Sequence, residues 1–371
     1  MRFGDLFYDT FIAAIFRFFG AISGFLATLI IAKKLGAMES GYFFLSYSVI
    51  TILATFCQMG LSNTILRFVG STIYNVDDIL RKSFCFSAVL SIIVSLLIFT
   101  NHFAIAAFFK KPDLAIVLKM MSLAILGLVF NTLIANCLQA LHRTKSSIFL
   151  LSICTNSLLV FLLLMDWVDN SVNLGGYFSF AVFINTVLAI IVYLYFTPKN
   201  SFDNYVKIKS LISSCIPLWV SSIMTQVLMW SGQLIAGLYE ASDVVAQLAV
   251  AQRTAALISF VLVAINYVVA PHFSEMYSNS KKIELQKLVN WSVKLATLIA
   301  VPMTIIMIIF PTLIMGLYGK DFVPGASFLV ILSIGQLTNA VFGPVGFLLI
   351  MSRHENDMMK ISLLTGVIAI S

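Results

Sequence analysis

Four basic side chains, Arg17, Lys119, Arg253 and Lys294, lie inside long apolar runs, while all 16 acidic residues fall in loops or at the ends of those runs. A charge at the centre of a membrane helix costs about 2.5–3.5 kcal/mol on insertion scales, so such residues face a wet cavity, a partner or the membrane surface. A cavity with positive charge and no carboxylate suits holding an anion while it crosses the bilayer. Lys119 and Lys294 are each about five residues from a span end, close enough for their stems to snorkel to the headgroups. Arg17 and Arg253 sit deeper, some 10–14 Å inside at about 1.5 Å of rise per residue, and a cavity accounts for them better.

Helical periodicity sharpens the case for Arg17. Stepping by three or four from it meets Thr10, Ala13, Ala14, Gly20, Ala21, Gly24 and Thr28, while Phe11, Ile15, Phe18, Ile22, Phe25 and Leu29 fill the other faces. This face meets protein or water. Gly20 and Gly24 also suit a close helix seam, and the two readings are compatible. A second polar stripe runs through Ser48, Thr51, Thr55, Gln58 and Ser62, and a third gathers Ser214, Ser221, Ser222, Thr225, Gly232 and Gln233. Thr51, Thr55, Gln58, Thr225 and Gln233 are therefore candidate lining residues, although serine and threonine serve helix contacts equally well.

The elements that position these residues are membrane spans. Of 371 residues 60% are hydrophobic and 11% charged, against about 25% charged in a soluble domain. Apolar runs near 10–32, 41–69, 84–108, 114–140, 147–165, 175–196, 211–238, 244–271, 289–317 and 322–350 predict ten spans in an all-α integral membrane protein. An eleventh begins near Met358 and stops at Ser371, short of the roughly 17–25 residues that a crossing needs, so the chain reads as incomplete at its C-terminus. The first run is too long for a cleaved signal peptide and carries Arg17.

With the N-terminus in the cytoplasm, 14 lysines and arginines fall in inner loops and 5 in outer ones, as the positive-inside bias requires. The link near 197–210 follows the sixth span and divides residues 1–200, a six-helix bundle, from residues 201–371, an incomplete second bundle. Pro217, Pro302, Pro311, Pro324 and Pro344 punctuate the second half and permit kinks.

Other chemistry lacks its residues. The five cysteines lie within apolar segments without metal-site spacing, and His102, His142, His272 and His354 are isolated near span ends. No phosphate-binding glycine loop with its lysine is present, and the basic residues are too scattered for nucleic acid. No cofactor is implied. A membrane glycosyltransferase or polymerase needs acids on substantial loops, and a cation-coupled drug exporter commonly uses an intramembrane carboxylate.

Ala32-Lys-Lys-Leu-Gly36, Ser40-Gly41-Tyr42-Phe43, Gly60-Leu61-Ser62-Asn63 and Arg67-Phe68-Val69 resemble the early spans of polysaccharide-exporter flippases, including the O-antigen (Wzx-type) flippases. The likeness continues with Pro217, Asp243, Gly316-Leu-Tyr-Gly319, Gly335-Gln336 and Gly343-Pro344-Val345-Gly346. These belong to the multidrug/oligosaccharidyl-lipid/polysaccharide superfamily. The resemblance implies a MATE-like, V-shaped pair of bundles of twelve helices, with spans 1, 2, 7 and 8 lining a central cavity that opens alternately to each side. It also implies an undecaprenyl-diphosphate-linked oligosaccharide as cargo, the cytoplasmic membrane of a bacterium as location, and polysaccharide polymerase and chain-length machinery as partners. On this reading Arg17 and Arg253 meet the diphosphate, while Lys294 and Lys119 meet the cargo on its way in and out. A lipid-linked peptidoglycan-precursor flippase, a multidrug antiporter and a membrane-embedded glycan polymerase are the alternatives.

Overall fold

The computed structural model describes residues 3–343 apart from 71–74, 142, 166–167, 197–207 and 279–280, with scattered positions beyond. The side chains of Thr10, Phe11, Ala13, Ala14, Arg67, Ser214, Pro217 and His272, together with His142, Pro344, His354 and most of the run from Met358, lie outside the described residues.

In chain order the helices are α1 (Phe3–Cys57), α2 (Leu61–Gly70), α3 (Val76–Phe108), α4 (Leu114–Ser122), α5 (Ala124–Ala140) and α6 (Thr144–Ile148). A π-helical turn (Phe149–Cys154) leads into α7 (Thr155–Leu164), followed by α8 (Ser171–Phe196), α9 (Ile208–Tyr239) and α10 (Ser242–Ser278). Then come α11 (Lys282–Ile309), α12 (Pro311–Gly316), a 3-10 turn (Lys320–Gly325) and α13 (Ala326–Phe342). There is no strand among the described residues.

The two spans predicted at 10–32 and 41–69 are the arms of α1, folded back at Gly36, where φ is +70°. In an unbroken helix Ile31 and Ser40 would be about 13 Å apart, yet the Ser40 hydroxyl donates to the Ile31 carbonyl at 3.4 Å. Lys34 donates to the Leu163 carbonyl, and Glu39 accepts from the Ser171 N–H at 2.8 Å, so the turn is tied to the ends of α7 and α8.

Several predicted spans are interrupted, among them the second, fourth and ninth. The second stops at Cys57, and Met59 (φ +51°) and Gly60 (φ +70°) turn the chain into α2. A Cβ on Gly60 would lie 2.5 Å from the Cys215 carbonyl oxygen and 2.6 Å from the Trp219 nitrogen, so α9 passes too closely for any side chain. The fourth span bends by 44° between α4 and α5. The ninth breaks at Phe310, because the residue before a proline is pushed from the helical region, and Pro311 then starts α12 without needing an N–H partner.

Six helices are long and apolar enough to cross a membrane, and the bent α4–α5 pair makes a seventh, counting described residues alone. Their outward faces carry Leu96, Phe103, Leu194, Leu298 and Ile331, all exposed. Lipid is the solvent that such a surface requires. Inside, Ile31, Leu45, Ile50, Ile65, Leu114, Leu118 and Tyr318 are fully buried in one continuous core.

Candidate functional site

The first arm of α1 and α10 run side by side, with the Phe18 and Phe260 rings 6.1 Å apart. The second arm packs against α9 along its length. There Trp230 meets Tyr47 with ring centroids at 5.7 Å, Gln226 donates to the Thr55 hydroxyl at 3.1 Å, and the Trp219 indole donates to the Phe56 carbonyl at 2.8 Å. On the other flank, Gly20 lets the first arm approach the π-helical turn, since a Cβ there would meet that of Ser152 at 2.6 Å. Ser23 and Ser157 hydroxyls stand 3.1 Å apart on the same seam. The small-residue seam expected around Gly20 and Gly24 is therefore real, and it packs on α7.

Between these surfaces lies a cavity of about 270 Å³. Gly24, Phe25 and Thr28 come from the first arm, Phe43, Phe44 and Tyr47 from the second, Asn156 from α7, Phe178 from α8, and Arg253 and Phe260 from α10. Spans 1, 2 and 8 contribute as the resemblance implies; no described residue of α9 lines this cavity, and its inward face packs on the second arm of α1.

Arg253 is the charged group of the lining set. Its guanidinium carbon is 4.1 Å from the Phe44 ring centre and 5.6 Å from that of Tyr47. A desolvated cation–π contact is worth about 2 kcal/mol. The contact offsets part of the cost of burying the charge without itself occupying an N–H group. Nη1 is buried and has no hydrogen-bond partner among the described residues. Next to it, the Thr254 and Tyr318 hydroxyls are 2.7 Å apart, and Tyr318 packs on Phe25 at 5.9 Å. The loop before α13 thus buttresses the cavity wall.

The other predicted residues are distributed differently. Arg17 is half-buried, one helical turn from the lining residue Ala21, and is not in this cavity. Lys119 is half-buried on α4 with its Nζ 4.8 Å from the Phe99 ring. Lys294 is exposed on α11. Thr51 donates to the carbonyls of Tyr47 and Ser48 at 2.8 and 3.0 Å, Thr55 to that of Thr51 at 3.0 Å, and exposed Thr225 to that of Ser221 at 2.9 Å. Gln58 sits in the turn after α1, half-buried. Gln233 is 1% exposed, and neither amide atom has a partner among the described residues. The hydroxyls of Thr51, Thr55 and Thr225 donate to their own helices, and Gln226, donating to Thr55, helps join α9 to the second arm.

Sequence reasoning missed the aromatic wall. Phe43, Phe44 and Tyr47 fall on one face of a helix, and that spacing beside the permissive Gly41 was the available signal.

The fold is shared with solved transporters. A structure of the lipid II flippase MurJ in an inward closed conformation matches with a TM-score of 0.75 at 14% identity, over 96% of this chain and 79% of that one. The MATE multidrug transporter DinF-BH matches at 0.71 and 16%, over 98% and 86%. An inward-facing MATE transporter of the MOP superfamily matches at 0.70 and 14%, over 94% and 84%. A protein described as an uncharacterized membrane protein of Methanocaldococcus jannaschii is 24% identical over 361 residues, covering 89% of this chain and 70% of that protein. The chain is thus an all-helical, multi-pass membrane protein with the MATE-like fold. Because the family model described as "Polysaccharide biosynthesis protein" matches residues 6–277, the chain belongs to that family.

Proposed function

We propose that this protein is a flippase that carries an undecaprenyl-diphosphate-linked oligosaccharide, such as an O-antigen repeat unit, from the cytoplasmic to the outer leaflet of a bacterial cytoplasmic membrane. The observation that carries this reading is Arg253, a cation lining a mainly aromatic and apolar cavity, with a buried Nη1 that lacks an acceptor among the described residues. An unmatched buried donor costs about 1–3 kcal/mol, so a ligand that supplies an oxygen recovers that free energy. A diphosphate does so and brings negative charge. At an effective dielectric near 20, an oxygen about 4 Å away contributes about 4 kcal/mol of gross attraction before desolvation.

Family membership supports a role in polysaccharide biosynthesis. Among the described residues the cavity lining carries no carboxylate, which disfavours a cationic drug as cargo. Its volume of about 270 Å³ suits a headgroup fragment, so passage of an oligosaccharide requires the walls to separate. Residues 1–200 and 201–371 would rock as two bundles to do this, with the N-terminus on the cytoplasmic side. Arg17, one turn along the first arm, would meet the diphosphate before it reaches Arg253. Lys294 and Lys119 would meet the cargo nearer the two surfaces. The polymerase and chain-length machinery would receive the product outside.

The test is flipping of a fluorescent lipid-linked oligosaccharide in proteoliposomes. Arg253→Ala at matched protein amounts should abolish it, and an unchanged rate would exclude this role. Equal transport of a lipid-linked peptidoglycan precursor would favour the alternative suggested by the likeness to MurJ.

A further inference from the structure

At the end of the molecule that carries the Gly36 turn, outer in the orientation given by loop charge, Lys111 reaches from the segment joining α3 and α4 to the carboxyl end of α9. Its Nζ donates to the Gly237 carbonyl at 2.6 Å and to the Glu240 carbonyl at 2.7 Å, and the side chain is 8% exposed. The last carbonyls of a helix lack intrahelical partners and carry the negative end of its dipole, so a cation there is favourable. α9 has no basic residue in its own last turn. The cation that caps it is supplied by the opposite half of the chain.

The contact sits in a tight seam. A Cβ on Gly237 would meet the Leu45 side chain at 2.6 Å and Phe109 at 3.3 Å, and one on Gly41 would overlap the Ser242 carbonyl. Tyr42, between them in the seam, donates to Asp113 at 3.1 Å. Beside the seam opens a pocket of about 800 Å³ bordered by Met38, Lys110, Lys111, Glu240 and Asp321. The neighbouring Lys110 is exposed.

We propose that Lys111 is the latch of the outer mouth: bound to the carboxyl end of α9 it holds the two halves shut, and it must leave those carbonyls for the mouth to open. Burial pushes its ammonium below the ordinary lysine value, an effect that Glu240 opposes. The closed contact therefore carries a desolvation cost that release recovers. The inference rests on the alternating opening adopted above but not on any particular cargo.

Two measurements, neither using a transported lipid, decide it. Spin labels at positions 108 and 239, both exposed, report the width of the outer mouth in a chain with Cys85 replaced. Lys111→Met should shift the distance distribution to longer values, and Lys111→Arg should restore it. A lower melting temperature with an unshifted distribution overturns the proposal in favour of a staple.

Should Lys111→Met fail to fold, the native lysine is footprinted with a membrane-impermeant amine reagent. Lys110 should label rapidly in all forms. Lys111 should label slowly in the free protein and several-fold more slowly once a Leu45→Cys/Gly237→Cys disulfide clamps the seam. Lys111 labelling that is undetectable in the free protein, or unaffected by the clamp, overturns the latch. The flipping assay remains a separate readout of the cargo.

Discussion

The Arg253 guanidinium stands over the Phe44 ring at 4.1 Å, so the charge is held by a π face and its Nη1 stays without a hydrogen-bond partner among the described residues. A carboxylate in place of that ring would have neutralised the cavity. An aromatic face steadies the cation and leaves it available to an anion.

Phe44→Leu tests that division of labour. Loss of the ring contact removes about 0.5–2 kcal/mol, which should weaken binding of a lipid diphosphate by up to about thirtyfold at about 1.4 kcal/mol per factor of ten. The chain should still fold, because leucine keeps most of the buried apolar volume. Titration of the purified protein with undecaprenyl diphosphate reads the effect; an unchanged affinity would show that the ring only fills space.

Two glycines with the same positive φ should respond unequally. Gly36→Ala meets only Asp321, at 3.5 Å, so its cost is that of the backbone conformation alone. Gly60→Ala adds a collision with Cys215 and Trp219. Strained φ values cost about 1–3 kcal/mol, so both variants should melt below the parent, Gly60→Ala by clearly more. The reverse order would contradict the close passage of α9 at Gly60.

Threonines that look alike in the sequence should also separate. Thr55→Val removes the acceptor of Gln226 and should destabilise by about 1 kcal/mol. Thr225→Val loses a bond to its own helix at an exposed position and should stay within about 0.5 kcal/mol. Unfolding in detergent, followed by tryptophan fluorescence, compares them.

Gln233→Leu replaces a 1% exposed amide that has no partner among the described residues. An apolar side chain of similar size removes the unmet polar atoms, so the melting temperature should rise. A fall would mean that water or cargo reaches the amide.

Much of this architecture is legible in the sequence because hydrophobic length is a strong signal: the helix positions follow the apolar runs, and Gly36 marks the turn between the first two. The breaks at Met59–Gly60 and Phe310 are less so. The first depends on how closely α9 passes, which periodicity does not encode, whereas Pro311 announces the second. At the site, the depth of Arg253 and the absence of an acidic partner in its run pointed to a cavity, and it lines one. Arg17 has the same signature yet sits a turn away from that cavity, because helical phase gives the face and not the height of its neighbours. The stripes through Thr51, Thr55 and Thr225 could not be separated into lining and packing without knowing which helix lies opposite. Lys111 looked like any loop lysine; only the fold brings it to the end of α9.

Equilibrium binding of undecaprenyl-diphosphate-linked oligosaccharide to the purified protein in nanodiscs tests most simply whether Arg253 holds the diphosphate of a lipid-linked sugar. Arg253→Gln keeps polarity and much of the volume while removing the charge. Binding should weaken at least tenfold, about 1.4 kcal/mol, with binding of the undecaprenol-linked sugar lacking phosphate unaffected by the substitution. Equal affinities of the parent and Arg253→Gln for the diphosphate cargo would exclude that contact.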